Sequence, residues 1–234
     1  MAWAGLLYNH FIMLVQIYEI SSSQEAVALG ELGIDHIGVL VGDGSFPRER
    51  TIDDARLIFS AIPSSSRGSA LLLTSDVRLI VLAILELKPA IVHLGASTDL
   101  LTPPTVRDLK KQCGPITVMR SIPVVSDESI AIAKSYDGIA DLLLLDSHRP
   151  GDTQIGALGI THNWELDKKI VECVDIPVLI AGGLGPDNVV DAIKAVQPAG
   201  VDSKTKTDKD DGSHTKDLQK IRRFVARAKK VNGG

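Results

Sequence analysis

The stretch Pro177-Val-Leu-Ile-Ala-Gly-Gly-Leu-Gly-Pro-Asp-Asn-Val189 decides the fold. Its unbroken apolar run from Pro177 to Ala181 predicts a parallel strand covered on both faces. Gly182-Gly183 then lets the backbone turn tightly and approach a ligand. Pro186 suits a first helical turn, and Asp187 is favourable beside a helix N-terminus. A strand, a glycine turn and a helix start predict a βα unit whose N–H groups face an anion, typically phosphate. An ordinary βα turn is the plainer alternative.

The same grammar recurs outward in both directions. Strand-like runs fall at 13–20, 36–41, 70–74, 90–94, 116–120, 140–146, 178–181 and 200–202, with amphipathic segments between them. Ser22 or Ser23, Thr51, Ser75 and Ser126 stand where N-caps belong. Eight strand–helix alternations predict one (β/α)8 barrel spanning residues 1–234, with a doubly wound sheet as the alternative that shares the alternation. Loops after strands carry a barrel's active site, and two are long: 147–161 after the sixth strand and the charged 203–213 after the eighth.

Bulk properties narrow the partners. The chain has 234 residues, 44% hydrophobic and 23% charged, which suits one α/β domain. A net charge of −4 gives no footprint for nucleic acid or an anionic membrane surface. Lys216, Lys220, Arg222, Arg223, Arg227, Lys229 and Lys230 read as the solvated face of a final helix. Cys113 and Cys173 are far apart, fit a reducing cytoplasm, and read as helix or core residues rather than nucleophiles. Residues 1–14 are apolar but lack a basic n-region and are too short to span a membrane. No metal-ligand spacing, Walker loop or dinucleotide fingerprint is present, so no metal and no cofactor are expected.

Polar residues at strand C-termini are the site candidates. Asp146 follows four leucines, so desolvation favours it as a general acid. Asp202 closes Ala199-Gly-Val-Asp202 in the same manner. Tyr18 and Glu19 end the first strand, and alternation sends one of them into the mouth. Arg48 and Arg50 follow the second strand and suit a carboxylate. His93 lies near the end of the fourth; His148 and His162 flank the sixth loop.

Together, Leu142–Asp146, Gly156-Ala-Leu-Gly-Ile-Thr-His-Asn-Trp164, Ala181–Asn188 and Gly200–Asp202 resemble the phosphoribosylanthranilate isomerase family of tryptophan biosynthesis, in its order and spacing. Ala26–Gly33, His36–Gly38 and Asp54-Ala-Arg56 extend the likeness to the first half. The resemblance implies a barrel without metal or cofactor. The family reaction opens a phosphoribosyl ring and shifts aldose to ketose with one acid and one base. It further implies Asp146 as general acid and Asp202 as a site position. Gly182 and Gly183 would form half of a phosphate cradle, with Ser203 and Lys204 in the other half. Arg48, or equally Arg50, would hold a carboxylate, and His93 and Gly159 would contact substrate.

This chain departs from the family at three places. Tyr18 stands where the family has its basic Cys, and Glu19 where it has Gly. The fourth strand reads His93-Leu-Gly95 rather than Gln-Leu-His-Gly. The eighth loop reads Ser203-Lys-Thr-Lys-Thr207, without the family's glycine, leaving Lys204 or Lys206 to supply charge. The expected function is aldose–ketose isomerisation with Tyr18 or Glu19 as base. The alternatives are an epimerase, lyase or aldolase on another phosphorylated metabolite, with Lys204 as a Schiff-base candidate, or a non-catalytic phosphate-ligand-binding barrel. The expected partner is a small phosphorylated substrate, met by a monomer or homodimer.

Overall fold

A computed structural model describes residues 13–148, 153, 155 and 163–231. Eight strands run β1 Leu14–Ile17, β2 His36–Leu40, β3 Arg67–Leu72, β4 Ile91–Leu94, β5 Thr117–Pro123, β6 Leu142–Asp146, β7 Val178–Ile180 and β8 Gly200–Ser203. Each pairs in parallel with the next, and β8 returns to β1 with Asp202 opposite Gln16, so the sheet closes into a barrel. The helices between are α1 Ser23–Glu31, α2 Ile52–Ser60, α3 Val77–Leu87, α4 Pro103–Cys113, α5 Glu128–Tyr136, α6 Trp164–Cys173, α7 Val189–Val196 and α8 Leu218–Lys230. This is the (β/α)8 architecture, and the doubly wound alternative is excluded by the β1–β8 ladder.

Local chemistry explains the element ends. Ser22 accepts from the Glu25 N–H, and Thr51 from the Asp54 N–H, as their cap positions require. Asp76 rather than Ser75 caps α3, because its carboxylate reaches the Arg78 N–H at 2.9 Å. Ser126 Oγ accepts from Glu128 N–H, but the residue at the α5 cap itself is Asp127. β1 is shorter than its apolar run, since Glu19 turns left-handed with φ 59°. β3 begins three residues earlier than expected and ends at Leu72. α7 begins at Val189, not near Pro186: residues 186–188 form a turn that the Asn188 side chain closes. That side chain accepts from Gly185 N–H at 2.8 Å and donates to Gly183 O at 3.2 Å.

Two apolar layers hold the barrel. The larger lies between sheet and helices; α8, for example, buries Ile221, Phe224 and Ala228 along one stripe. The smaller fills the interior with Ile91, Met119, Leu142, Leu144, Leu179 and Ala181. Cys113 and Cys173 close α4 and α6 as free thiols. Among the described residues, no helix is long and apolar enough to cross a membrane.

Candidate active site

The apolar side chains of the interior come from β4 to β7 and the residue after β7. On the other side, inward-facing positions of β1 to β5 carry hydrogen-bonding side chains. Gln16 Oε1 meets His36 Nδ1 at 3.1 Å. Above them Tyr18 turns inward, 3% exposed, and answers the alternation question: it is Tyr18 that enters the barrel. Its ring lies over Gly38, where a Cβ would come 2.0 Å from Tyr18 Cδ1. Its hydroxyl meets Ser69 Oγ at 2.6 Å and His93 Nδ1 at 2.7 Å, and His93 Nε2 continues to Ser121 Oγ at 2.7 Å. Burial raises the Tyr18 phenol well above its ordinary value, while burial and the nearby Arg120 charge lower His93 to about 3. Both shifts stabilise neutral side chains. His93, with both nitrogens bonded and 1% exposed, lies inside the barrel rather than in its open mouth.

Two carboxylates, on β6 and β8, stand close enough for the charge of one to act on the other. Asp146 ends β6, is partly exposed, and accepts from Ser147 N–H at 2.7 Å. Asp202 on β8 is buried, and its Oδ1 has no hydrogen-bond partner among the described residues. Desolvation first, and the Asp146 charge second, hold its carboxyl well above the usual carboxylate range.

Glu19, 10% exposed, belongs to a chain of charges. Arg48 Nε donates to Glu19 Oε2 at 2.6 Å and Arg48 Nη2 to Oε1 at 3.4 Å. Lys204 Nζ lies 3.6 Å from Glu19 and 3.3 Å from Asp208, which Lys216 meets at 2.5 Å. The Lys216 side chain is 0% exposed. It is thus not on the solvated helix face that its sequence position suggests: it stands before α8, where the Asp208–Lys216 bridge folds the loop inward. Arg222, Arg223, Arg227 and Lys230 are exposed as expected. Of Arg48 and Arg50, it is Arg48 whose guanidinium reaches the β1 end.

The loops after β7 and β8 form one surface. Gly182 and Gly183 adopt φ 78° and 66°, which their lack of Cβ permits. Ser203 Oγ, from the β8 end, donates to Leu184 O at 2.6 Å and ties the two loops together. Beyond this tie, a cavity of about 570 Å³ is lined by Gly183, Gly185, Asn188, Thr205, Lys206 and Arg223. Lys220 also lines it, paired with Asp210. Lys204, the nearer sequence candidate, is turned instead to Glu19 and Asp208. Sequence reasoning missed Lys220 and Arg223 as site candidates; their spacing of three at the start of a helix following the loop was the available signal. Gly159 and His162 lie outside the described residues.

Comparison with known proteins agrees with this geometry. A profile of the N-(5'-phosphoribosyl)anthranilate isomerase family matches residues 99–227, more than half of the chain. The enzyme of that name from Methanocella arvoryzae is 33% identical over 211 residues, covering 90% of this chain and 95% of that one. A phosphoribosylanthranilate isomerase solved with reduced 1-(o-carboxyphenylamino)-1-deoxyribulose 5-phosphate superposes with a TM-score of 0.75 at 21% identity, covering 94% of this chain and all of that one. A monomeric form of the dimeric enzyme from Thermotoga maritima gives 0.77 at 22% identity, with 94% and 100% coverage. With this profile match and this identity over nearly the whole length, on a closed eight-stranded barrel, the chain belongs to the N-(5'-phosphoribosyl)anthranilate isomerase family.

Proposed function

We propose that the protein isomerises an N-(5'-phosphoribosyl)arylamine, in the first instance phosphoribosylanthranilate, to the 1-amino-1-deoxyketose. The observation that carries the reading is the proximity of Asp146 on β6 and Asp202 on β8, beside the tied loops after β7 and β8. The product-like ligand held by a relative of the same fold supports the substrate class. The phosphate is seated against Gly183 and the loop amides, with Lys206, Lys220 and Arg223 supplying positive charge. Its charge comes from Lys206 and the start of α8 rather than from Lys204.

The rearrangement needs a proton on the ring oxygen and a proton taken from the adjacent carbon. Asp146, partly exposed at the β6 end, gives the first. Asp202, whose carboxyl is shifted upward by burial, stands beside it and holds a substrate hydroxyl by a hydrogen bond. Tyr18 does not take the carbon proton: its raised phenol and two short bonds below the mouth make it a strut in the place of the family's cysteine. The reaction uses no external oxidant, since the shift is internal. The chain works as a monomer or homodimer in a reducing cytoplasm, a reading supported by its two unpaired thiols.

The test is the loss of phosphoribosylanthranilate fluorescence with purified protein. Turnover that falls by about 10²-fold or more in Asp146→Asn supports the reading. Turnover unchanged in that variant removes Asp146 from the acid role, and none in the wild type rejects the substrate.

A further inference from the structure

Two residues at the mouth share an unusual property. Glu19 and Arg48 are both non-glycine residues in left-handed backbone, at φ 59° and 69°, and their side chains hold each other. Such conformations persist only where surroundings impose them, and they concentrate at functional sites. The pair is lopsided in access: Glu19 is 10% exposed and Arg48 34%, so an incoming anion reaches the guanidinium first. A second cation already waits for Glu19. Lys204 Nζ lies 3.6 Å from the oxygen that Arg48 holds. Lys204 also faces Asp208, whose other oxygen is held by buried Lys216 at 2.5 Å, so Asp208 keeps a cation when Lys204 moves closer to Glu19.

We propose that Glu19 is the base that takes the carbon-bound proton, masked by Arg48 in the free protein and released when a substrate carboxylate takes Arg48 and Glu19 swings to Lys204. This rests on the isomerase reading above. The number of ion pairs is conserved: Arg48 exchanges Glu19 for the substrate carboxylate, while Glu19 keeps and tightens the Lys204 pair it already has. The chemistry then balances without a co-reactant. Asp146 gives its proton to the ring oxygen as the C1–O bond breaks, leaving C1 doubly bonded to nitrogen. Glu19 takes the C2 proton, whose bonding pair forms C1=C2 while the nitrogen becomes neutral. Glu19 returns that proton to C1, and the C2 hydroxyl proton restores Asp146 as the ketone forms. The carboxylate of the aryl group is thus a trigger for catalysis as well as a handle for binding.

The two roles separate kinetically. Phosphoribosylaniline, formed in situ from aniline and ribose 5-phosphate, keeps the phosphate and sugar but lacks the carboxylate. The expected result with wild-type protein is a kcat about 10²-fold lower or more, with a smaller change in KM, and saturable recovery on adding sodium acetate. A retained kcat with only KM raised overturns the proposal, because Arg48 is then an anchor alone. A lowered kcat that acetate does not rescue overturns the exchange as well. Glu19→Gln is expected to lose both turnover and acetate rescue while the reduced product analogue still raises its melting temperature, which reports an intact site. Turnover abolished by Asp146→Asn but untouched by Glu19→Gln overturns this inference and leaves the isomerase reading standing; no turnover of phosphoribosylanthranilate by the wild type overturns both.

Discussion

Replacing Tyr18 by Phe separates a strut from a base. The hydroxyl sits between Ser69 Oγ at 2.6 Å and His93 Nδ1 at 2.7 Å, wholly out of water. Phe fills the same space over Gly38 but makes neither bond. His93 cannot turn to solvent, since it is 1% exposed and held to Ser121 by its other nitrogen. An orphaned buried polar group costs about 1–3 kcal/mol, so two lost bonds with partial relaxation of Ser69 cost about 2–3 kcal/mol. For a domain of this size that is a fall in melting temperature of about 4–12 °C. Activity follows a different expectation. Removing a general base lowers kcat about 10²–10⁴-fold, whereas loss of a strut leaves kcat within the same order of magnitude below the new melting point. Thermal denaturation and the fluorescence assay on one preparation supply both numbers. A kcat reduced about 10²-fold or more with an unchanged melting temperature refutes the strut and returns Tyr18 to the proton-transfer machinery.

Three further outcomes follow from the packing. Lys216→Met leaves the Asp208 carboxylate buried without its closest cation and should cost about 3–5 kcal/mol in a urea titration; Asp208→Leu added to it should recover most of that loss, since a buried pair replaced whole is often neutral. Gly38→Ala places a methyl 2.0 Å from the Tyr18 ring and should destabilise by about 1–3 kcal/mol, with little further loss when combined with Tyr18→Cys, which empties the space. Acid should unfold the protein through two buried imidazoles. His36 and His93 are lowered from 6.5 to about 3, by burial first and then by the Arg67 and Arg120 charges. The unfolded chain therefore binds more protons across that window, so stability falls as pH drops from about 6.5 towards 3 and levels off below it, by about 2 kcal/mol per histidine at about pH 5. Asp202, raised by burial, opposes this by favouring the folded state as pH falls. Urea midpoints against pH should show the net slope, and His36→Gln should flatten it.

The barrel was legible because its signal is repeated. Eight apolar runs each end beside a polar or small residue, and no single misplaced boundary changes the count. The boundaries that moved did so through side chains acting locally, as with Asn188 holding back α7 and Asp76 displacing Ser75 as a cap. The positions of Asp146 and Asp202 at the ends of apolar strands were legible for a related reason, since each is the polar residue that breaks an apolar run. The charged eighth loop was not. In sequence, Lys204, Lys206, Asp208 and Lys216 are an undifferentiated polar run, and which of them is buried depends on a bridge between residues eight apart and on Glu19 at the other end of the chain. Pairings of that kind leave no periodicity to read.

The seam between the first and last units has a consequence for the birth of the molecule. β1 can complete its edge only against β8, and Lys216 N–H reaches across 191 positions to Glu25 Oε1 at 2.7 Å. Until β8 has left the ribosome, the nascent chain is an open sheet with an unpaired β1 edge, the kind of edge that invites foreign strands. Closure then has to be paid for in long-range loop entropy at a single late step. Synthesis rate and chaperone supply, more than the strength of any local element, should set the yield of active protein.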